Sequence, residues 1–426
     1  MTNGTVHIIV GGQYGSESKG MAVAEITKKN HNITHAVRTG AINAGHTVYY
    51  KDKKYPMQQL PVSWVVPGVK LVVGRGAYVY REVLEKEIAW IKEALELENT
   101  KDLVLIDSEC FLHLHEFVDE EKAVNLHAEI GSTSEGVASA IKRKISRRDG
   151  DSLLMRTQDW AKNHPDFTLV DTSKILNDVL DDGKDIILEG TQGTLLDVHF
   201  GEHPYTTSRS TTAGAWMVEA GLAPNCTTVT YMIVRTFPIR VAGNSGRFAN
   251  EIGWVELMSE FNKKLSNNHL AELIPSYLIQ ELNKAEDEMQ ELMGIPFKPH
   301  EVVLPFMRHR YRNELSDFHS EIFKRNPVLL EKLSPFLEMT TVTKKLRRIA
   351  RLSLEDLEYA SRLNRPDYII LNFINYEFPN LWDKSDDDLT KEDWNKLNEY
   401  IGPIERATKS HVLFGSSGKQ TIINFR

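Results

Sequence analysis

A short apolar run, Val6-His7-Ile8-Ile9-Val10, leads directly into Gly11-Gly12-Gln13-Tyr14-Gly15-Ser16-Glu17-Ser18-Lys19-Gly20. Glycines let a backbone turn its N–H groups toward an anion, and a helix starting after them adds positive potential. Lys19 could reach a phosphate. The stretch is not a Walker A loop, which needs Gly-Lys-Ser/Thr, because Ser18 precedes Lys19; Gly418-Lys419-Gln420 does not match either. The competing reading is a glycine-rich turn needed only for strand-to-helix geometry. A second polar turn, Asn43-Ala44-Gly45-His46-Thr47, can present an imidazole to a substrate, although most of the 15 histidines must be surface or packing residues. A third, Glu189-Gly190-Thr191-Gln192-Gly193-Thr194-Leu195-Leu196-Asp197, again follows a buried run at 186–188 and continues to His203-Pro204-Tyr205-Thr206-Thr207-Ser208-Arg209-Ser210-Thr211-Thr212-Ala213-Gly214. Its hydroxyls and amide suit a nucleobase or phosphate ester, or else a capped turn with a Ser/Thr-rich loop. Two basic clusters, Lys142-Arg143-Lys144 with Arg147-Arg148 and Lys344-Lys345-Leu346-Arg347-Arg348, read as solvated helix faces. In an enzyme of phosphates or carboxylates they would supply arginine clamps.

Residues this far apart need a scaffold that gathers their loops. Short apolar, β-branched runs at 6–10, 34–38, 69–73, 102–107, 168–171 and 185–188 read as strands. Helical spacing at 21–28 and an amphipathic pattern at 83–97 (Leu84, Ile88, Ile91, Leu95) alternate with them, which predicts an α/β fold with a central, mostly parallel sheet. A β-rich run covers 227–241, a mainly helical insertion about 255–335, and strand character returns at 368–373, 412–414 and 421–425. No low-complexity linker or internal repeat interrupts the chain, so 1–426 is expected to be one catalytic domain carrying that insertion.

Composition sets the outer bounds. With 426 residues, 41% apolar and 26% charged, the chain is a folded protein rather than a disordered one. No stretch approaches the ~18 apolar residues of a membrane span, and the N-terminus has no secretory pattern. Two cysteines, Cys110 and Cys226, exclude a disulfide framework or a cysteine zinc site and fit a reducing cytoplasm. The formal charge of −8 argues against nucleic acid as a direct partner, so phosphates must be handled by local clusters of positive charge.

Together and in order, these motifs resemble adenylosuccinate synthetase. That family's opening loop reads Gly-x-Gln-Trp-Gly-Asp-Glu-Gly-Lys-Gly. Its Asn-Ala-Gly-His-Thr is matched in full at 43–47, and its Glu-Gly-Ala-Gln-Gly-Thr-Leu-Leu-Asp at 189–197 with one change, Thr191. Its Pro-Tyr-x-Thr-Ser and Thr-Thr-Ala-Gly match 204–208 and 211–214, Arg240-Val241-Ala242-Gly243 resembles the next stretch, and 338–351 resembles its arginine loop.

The resemblance implies a P-loop-related α/β ligase. Such an enzyme phosphorylates the 6-oxygen of a purine nucleotide with a nucleoside triphosphate and lets the aspartate amine displace that phosphate, with Mg²⁺ bridging the phosphates. It implies Ser16, Lys19, His46 and Gln192 at the reacting centre, with Lys19 neutralising the transferring group and His46 as general acid. Mononucleotide contacts would come from Ser16, Asn43, Ser132, Thr133, Gln192 and Thr207, and from an Arg147 that reaches the phosphate across a homodimer interface. The triphosphate would meet Gly15, Glu17, Ser18, Lys19, Gly20, Gly45, His46, Thr47, Arg347, Asn372, Ser417 and Gly418. Aspartate would meet Thr341, Val342, Thr343, Lys345 and Arg347, and the metal Ser16 and the Gly45 carbonyl.

Four departures refine this. Ser16 stands where the family has an Asp that acts as base and metal ligand. A hydroxyl is no base at neutral pH, but it leaves room at the purine C2 edge, where guanine carries an amino group. That matches the 2-aminodeoxyadenylosuccinate synthase branch found in some bacteriophages, which acts on dGMP. Its product, N6-succino-2-amino-2′-deoxyadenylate, would serve 2-aminoadenine DNA in a host bacterial cytoplasm. Second, the guanine-reading Asp of Thr-Lys-x-Asp falls on Ile374 in Leu371-Asn372-Phe373-Ile374, which points to ATP or dATP instead of GTP. Third, Ser18 replaces a loop glycine, so its φ is expected to suit a non-glycine residue. Fourth, Lys345 and Glu135 stand where the family has Arg. Two readings compete with the dGMP ligase: an ordinary synthetase using IMP and GTP, and a catalytically dead nucleotide-binding homologue.

Overall fold

In the computed structural model, residues 3–124, 129–265, 276–293, 319–339 and 346–426 are described. The β-branched runs form a ten-stranded sheet from β1 (Val6–Gly11), β2 (Ile33–Arg38), β3 (Lys70–Val73), β4 (Val104–Asp107), β5 (Thr168–Val170), β6 (Asp185–Glu189), β7 (Thr228–Arg235), β8 (Tyr368–Asn372), β9 (His411–Ser416) and β10 (Ile422–Asn424). Their order is β10-β9-β8-β7-β1-β6-β2-β3-β4-β5, and every neighbouring pair is parallel except β9 with β10. Both faces are covered, as a parallel sheet requires. Alternate residues of β1 serve opposite faces. Ile9 joins a core with Val23 of helix Lys19–Lys29 and Ile88 of helix Arg81–Leu95. Val6, Ile8 and Val10 join the other with Trp216 of helix Ala213–Ala220 and Leu357 of helix Leu354–Asn364.

The insertion region has its own apolar cluster. Trp254, Phe261, Leu282, Phe323 and Leu333 bring together helices Trp254–Leu265, Ser276–Met293 and Pro327–Leu333. The cluster also packs on a small sheet in which Arg348–Ala350 lies between Ile239–Arg240 and Glu251–Ile252. Among the described residues no helix is long and apolar enough to cross a membrane.

Three histidines buried in this scaffold set an acid limit. Burial lowers His35, His46 and His113 to about 4 each, with Lys70 adding to the effect on His35 and Arg38 to that on His46. Their folded values lie below the unfolded 6.5, so the unfolded chain takes up protons first on acidification. Stability from these groups is therefore present above pH 6.5 and is lost as pH falls toward 4, at about 1.4 kcal/mol per pH unit for each. Urea midpoints at pH 7.5 and pH 5 are expected to show a clear loss at the lower pH; equal midpoints would contradict the burial of these rings.

Candidate active site

In parallel sheets, loops at the carboxyl ends of the strands converge into one crevice. Here the loops leaving β1, β2, β6, β7, β8 and β9 all do so, and each carries one of the sequence motifs. The first loop is shaped by left-handed residues: Gly15 (φ 84), Ser16 (φ 56) and Ser18 (φ 66). Such alternation turns successive N–H groups into one concavity. Part of that concavity is filled from within. The carboxylate of Glu17, fully buried, accepts from Gln13 N (3.2 Å) and Gly15 N (2.8 Å), and it holds the Lys19 ammonium. The main-chain N–H groups of Ser16, Glu17 and Ser18 donate to no described residue, which leaves them for an external anion. The expectation that Lys19 points at a phosphate is thus modified: any phosphate must compete with Glu17 for it.

The φ of Ser18 is one that a non-glycine residue can reach, but only at a cost. The residue caps helix Lys19–Lys29 at φ 66, ψ 39 with no side-chain cap bond. A non-glycine residue in this region costs about 1 kcal/mol, part of which glycine returns through its freer unfolded state. Ser18→Gly is expected to raise stability by a few tenths to about 1 kcal/mol, measurable as a higher urea midpoint.

Glycines bring the other loops against this one. A Cβ on Gly20 would stand 2.7 Å from Thr47 O and 3.1 Å from His46 Cβ, and a Cβ on Gly193 would collide with Gln13 O. Gln192 itself is left-handed (φ 61), and its carboxamide lies beside Gly15. Lys19, His46 and Gln192 therefore come together around the first loop.

His46 starts strand His46–Tyr50 and is 6% exposed. Its Nδ1 lies 2.6 Å from Glu189 Oε1, and Glu189 also accepts from Arg38 Nη1 (2.5 Å) and Val62 N (2.8 Å). Burial alone would raise the Glu189 carboxyl, but Arg38, then His46 and the Val62 N–H, hold it below its ordinary value. An ionised carboxylate has no proton to give, so Nδ1 donates and Nε2 is the nitrogen left for chemistry. With a value of about 4, the imidazole is neutral at pH 7.

The mononucleotide residues are more scattered. Asn43 and Thr207 are half-buried, and Thr207 N donates to Leu196 O (2.7 Å). Ser132 and exposed Thr133 lie on the segment leading into helix Val137–Ser146, and Ser132 Oγ accepts from Ser134 N at 3.2 Å. Arg147 ends that helix at φ 57, exposed and with no ion pair among the described residues. Glu135 is half-buried, and burial raises its carboxyl.

At the other end, Thr341, Val342, Thr343 and Lys345 lie outside the described residues. Arg347 is held through its main chain, donating to Glu338 O (2.8 Å) and accepting from Trp254 Nε1 (2.7 Å). Asn372 is fully buried; its Nδ2 donates to Glu17 O (2.7 Å), while Oδ1 has no partner among the described residues. Its amide thus supports the first loop. Ser417 Oγ is committed to Lys384 O (2.5 Å), and Gly418 is pressed against the Asp383 carboxylate. Ile374 cannot be the residue that reads a base: its side chain is fully buried in the apolar core against Gly415. Its neighbour Asn375, 4% exposed, has an amide with no hydrogen-bonding partner among the described residues.

A model of the adenylosuccinate synthetase family matches residues 8–154 and 149–269. The chain belongs to the adenylosuccinate synthetase family. It is 34% identical over 257 residues to the adenylosuccinate synthetase of Methanocaldococcus jannaschii, covering 60% of this chain and 70% of that one. The Methanococcus aeolicus enzyme gives 34% over 252 residues, 58% and 70% of the two chains. The fold is that of the cyanophage S-2L succinoaminodeoxyadenylate synthetase bound to dGMP and dATP as an energy donor (TM-score 0.68, 22% identity, 99% of this chain and 95% of that one). It is also that of the fully ligated adenylosuccinate synthetase from Plasmodium falciparum (TM-score 0.65, 17% identity, 99% and 100%).

An adenylosuccinate synthetase of this kind is a C–N bond-forming ligase that joins aspartate to a purine nucleotide. Sequence reasoning missed Arg38 and Arg235, which carry no motif spacing; only their places at the ends of β2 and β7 mark them. Among the described residues no three His, Cys, Asp or Glu side chains converge as a metal cage. Ser16 and Gly45 are both exposed and offer neutral hard oxygens. Mg²⁺ takes few protein ligands and fills its shell from water and substrate phosphates, so this donor set fits it. When bound, the ion would neutralise charge on the transferring phosphoryl group.

Proposed function

We propose that this ligase joins L-aspartate to C6 of dGMP at the expense of ATP or dATP, giving N6-succino-2-amino-2′-deoxyadenylate, and that it works with Mg²⁺ as a homodimer in a bacterial cytoplasm. The observation that carries the reading is Ser16. It sits exposed at the tip of the first loop, where the family resemblance expects a carboxylate beside N1 of the base. A small neutral side chain there leaves space for a 2-amino group. Asn375 supports an adenine donor, because a neutral amide can both donate to and accept from adenine, and 368–376 contains no acidic residue.

Within this reading the chain's own groups divide the work. The N–H groups of 16–18 and Lys19 hold phosphate oxygens. Glu189 fixes the His46 tautomer and aims Nε2 at the 6-oxygen. The imidazole is neutral without ligand, so His46 can act as an acid only when the bound nucleotide's own negative charge raises it. Gln192 donates near the reacting oxygen, Arg147 reaches the partner's mononucleotide, and Arg347 meets the aspartate carboxylate.

The second reading is a synthetase of IMP using GTP. The archaeal relatives carry that family name, and the Asp383 carboxylate beside Gly418 could accept from guanine. Pure protein with aspartate and Mg²⁺, offered dGMP or IMP and ATP, dATP or GTP, separates them. Aspartate-dependent release of ADP or dADP with dGMP is expected. Turnover of IMP but not dGMP sinks the proposal, and no turnover with any pair assigns a nucleotide-binding homologue without activity.

A further inference from the structure

Arg209 stands two residues after Thr207 on the loop that leaves β6, and its side chain is 6% exposed. A single nitrogen makes all of its hydrogen bonds. Nη2 donates to Thr39 O (2.8 Å), to Gly76 O (3.4 Å) and to the Glu219 carboxylate. Glu219 Oε2 also accepts from Thr39 Oγ1 (2.7 Å), and Glu219 O accepts from Gly76 N (3.0 Å). Thr39 follows β2 and leads the turn to Asn43, and Gly76 lies just beyond β3. The Arg209–Glu219 pair therefore ties together the loops that carry Asn43 and Thr207.

The rest of the guanidinium is left over. Its Nε and Nη1 are fully buried and have no partner among the described residues. The group lies 5.5 Å from the centroid of the Trp216 ring, whose Nε1 is likewise buried and unpartnered. A second cation stands close by. Lys144 Nζ is 5.3 Å from the centroid of the Tyr78 ring, and Tyr78 N donates to Gly40 O (3.4 Å). Lys144 makes no ion pair among the described residues; burial, and to a smaller extent Arg209, lower its ammonium, which Glu219 opposes. Neither Lys144 nor the Nε and Nη1 groups of Arg209 have an anion of their own. A buried cation with two unpaired N–H groups is a poor stabiliser, and an apolar side chain of similar size would hold the fold better. Stability thus does not account for the charge of Arg209, whereas an anion brought to these loops does.

We propose that Arg209 serves the phosphate of the mononucleotide. It is a positioning residue: Nη2 fixes the turn that leads to Asn43, and the same side chain anchors the loop that carries Thr207. Its incompletely neutralised charge also adds positive potential where the phosphate oxygens arrive, and in a low-dielectric interior that field acts over several ångströms without direct contact.

The inference rests on the assignment of Asn43 and Thr207 to the mononucleotide. Its test compares two ligands on one preparation of the full-length protein. The affinities for dGMP and deoxyguanosine, and for IMP and inosine, are measured by calorimetry in wild type, Arg209→Gln and Arg209→Lys; each nucleoside lacks only the phosphate. For the mononucleotide that the wild type prefers, Arg209→Gln is expected to weaken binding by about 10-fold or more, and to change nucleoside binding by less than about 2-fold. Arg209→Lys keeps the charge but loses the fork, so its loss is expected to be smaller than that of Arg209→Gln. Because both ligands are read on the same sample, a lower folded fraction does not mimic a change in their ratio. Equal losses for mononucleotide and nucleoside, or unchanged mononucleotide affinity in Arg209→Gln, overturn the proposal and leave Arg209 a structural residue. Failure of the ligase reading shows separately, as no aspartate-dependent turnover by a wild type that still binds a mononucleotide.

Discussion

Ser16→Asp is expected to lower kcat/KM for dGMP by about 10- to 100-fold and to raise turnover of IMP. The loss follows from crowding. Ser16 sits at φ 56 on a loop fixed by the Arg235 bond to its carbonyl and by Glu17 beneath it, so the backbone cannot retreat. A larger, charged side chain must project into space that the 2-amino group of guanine is proposed to use. Forced overpacking of a formed site costs about 1–3 kcal/mol, which sets the range given. The gain follows from chemistry: a carboxylate beside N1 of hypoxanthine supplies the base that a hydroxyl cannot, an effect worth about 10²–10⁴ in rate when the group is well placed. The measurement is the ratio of kcat/KM for the two mononucleotides in parent and variant. Equal losses on both, with the variant folded, would show that Ser16 is not the discriminating position.

Glu189→Gln is expected to reduce kcat by about 10²–10⁴ and to cost about 3–5 kcal/mol of stability. The carboxylate is fully buried between Arg38 and His46, with its second oxygen on Val62 N. Its removal leaves the Arg38 guanidinium, whose Nε already lacks a partner among the described residues, as an uncompensated buried charge. It also frees the His46 ring to take either tautomer, so Nε2 is no longer reliably the reacting nitrogen. Turnover at saturating substrates and a urea midpoint read the two effects separately. Because Glu189 acts through His46, His46→Asn and the double variant should be slowed about as much as Glu189→Gln alone, well short of the product of the single losses. Near-normal turnover with reduced stability would leave Glu189 a structural residue only.

Much of this was legible without coordinates. The strands at 6–10, 34–38 and 185–188 were visible because a parallel sheet buried on both faces needs continuous β-branched runs. The glycines at 15 and 193 were legible as loop residues, and the structure shows why no side chain is wanted: φ is positive at Gly15, and Gln13 O stands against Gly193. Hairpin His46–Tyr50 with Lys53–Met57 was not seen, since its alternation is interrupted by exposed lysines and Pro56. Which way Ile374 faces is not legible in the sequence, because it lies past the strand end on the short helix Ile374–Glu377, where only packing turns its side chain into the core. The left-handed geometry of Ser18 is not legible in the sequence, because residue type signals it clearly only when it is glycine, and here a serine bears the strain.

The sequence by itself determined the fold class, the order of the motifs and the family. Each of these depends on local pattern: hydrophobic period, glycine placement and short runs of polar residues in fixed register. What the tertiary structure decided is which charges meet. Glu17 takes the Lys19 ammonium and two loop amides, Glu189 sets the His46 proton, and Arg235 ties Ser16 to Glu338. The reason is physical. Each of the two long-range groupings joins residues more than a hundred positions apart, and the Glu17 carboxylate meets groups within four residues of it only because the backbone turns there. Their strength comes from burial, which exists only once six strand ends have been brought to a single edge of the sheet.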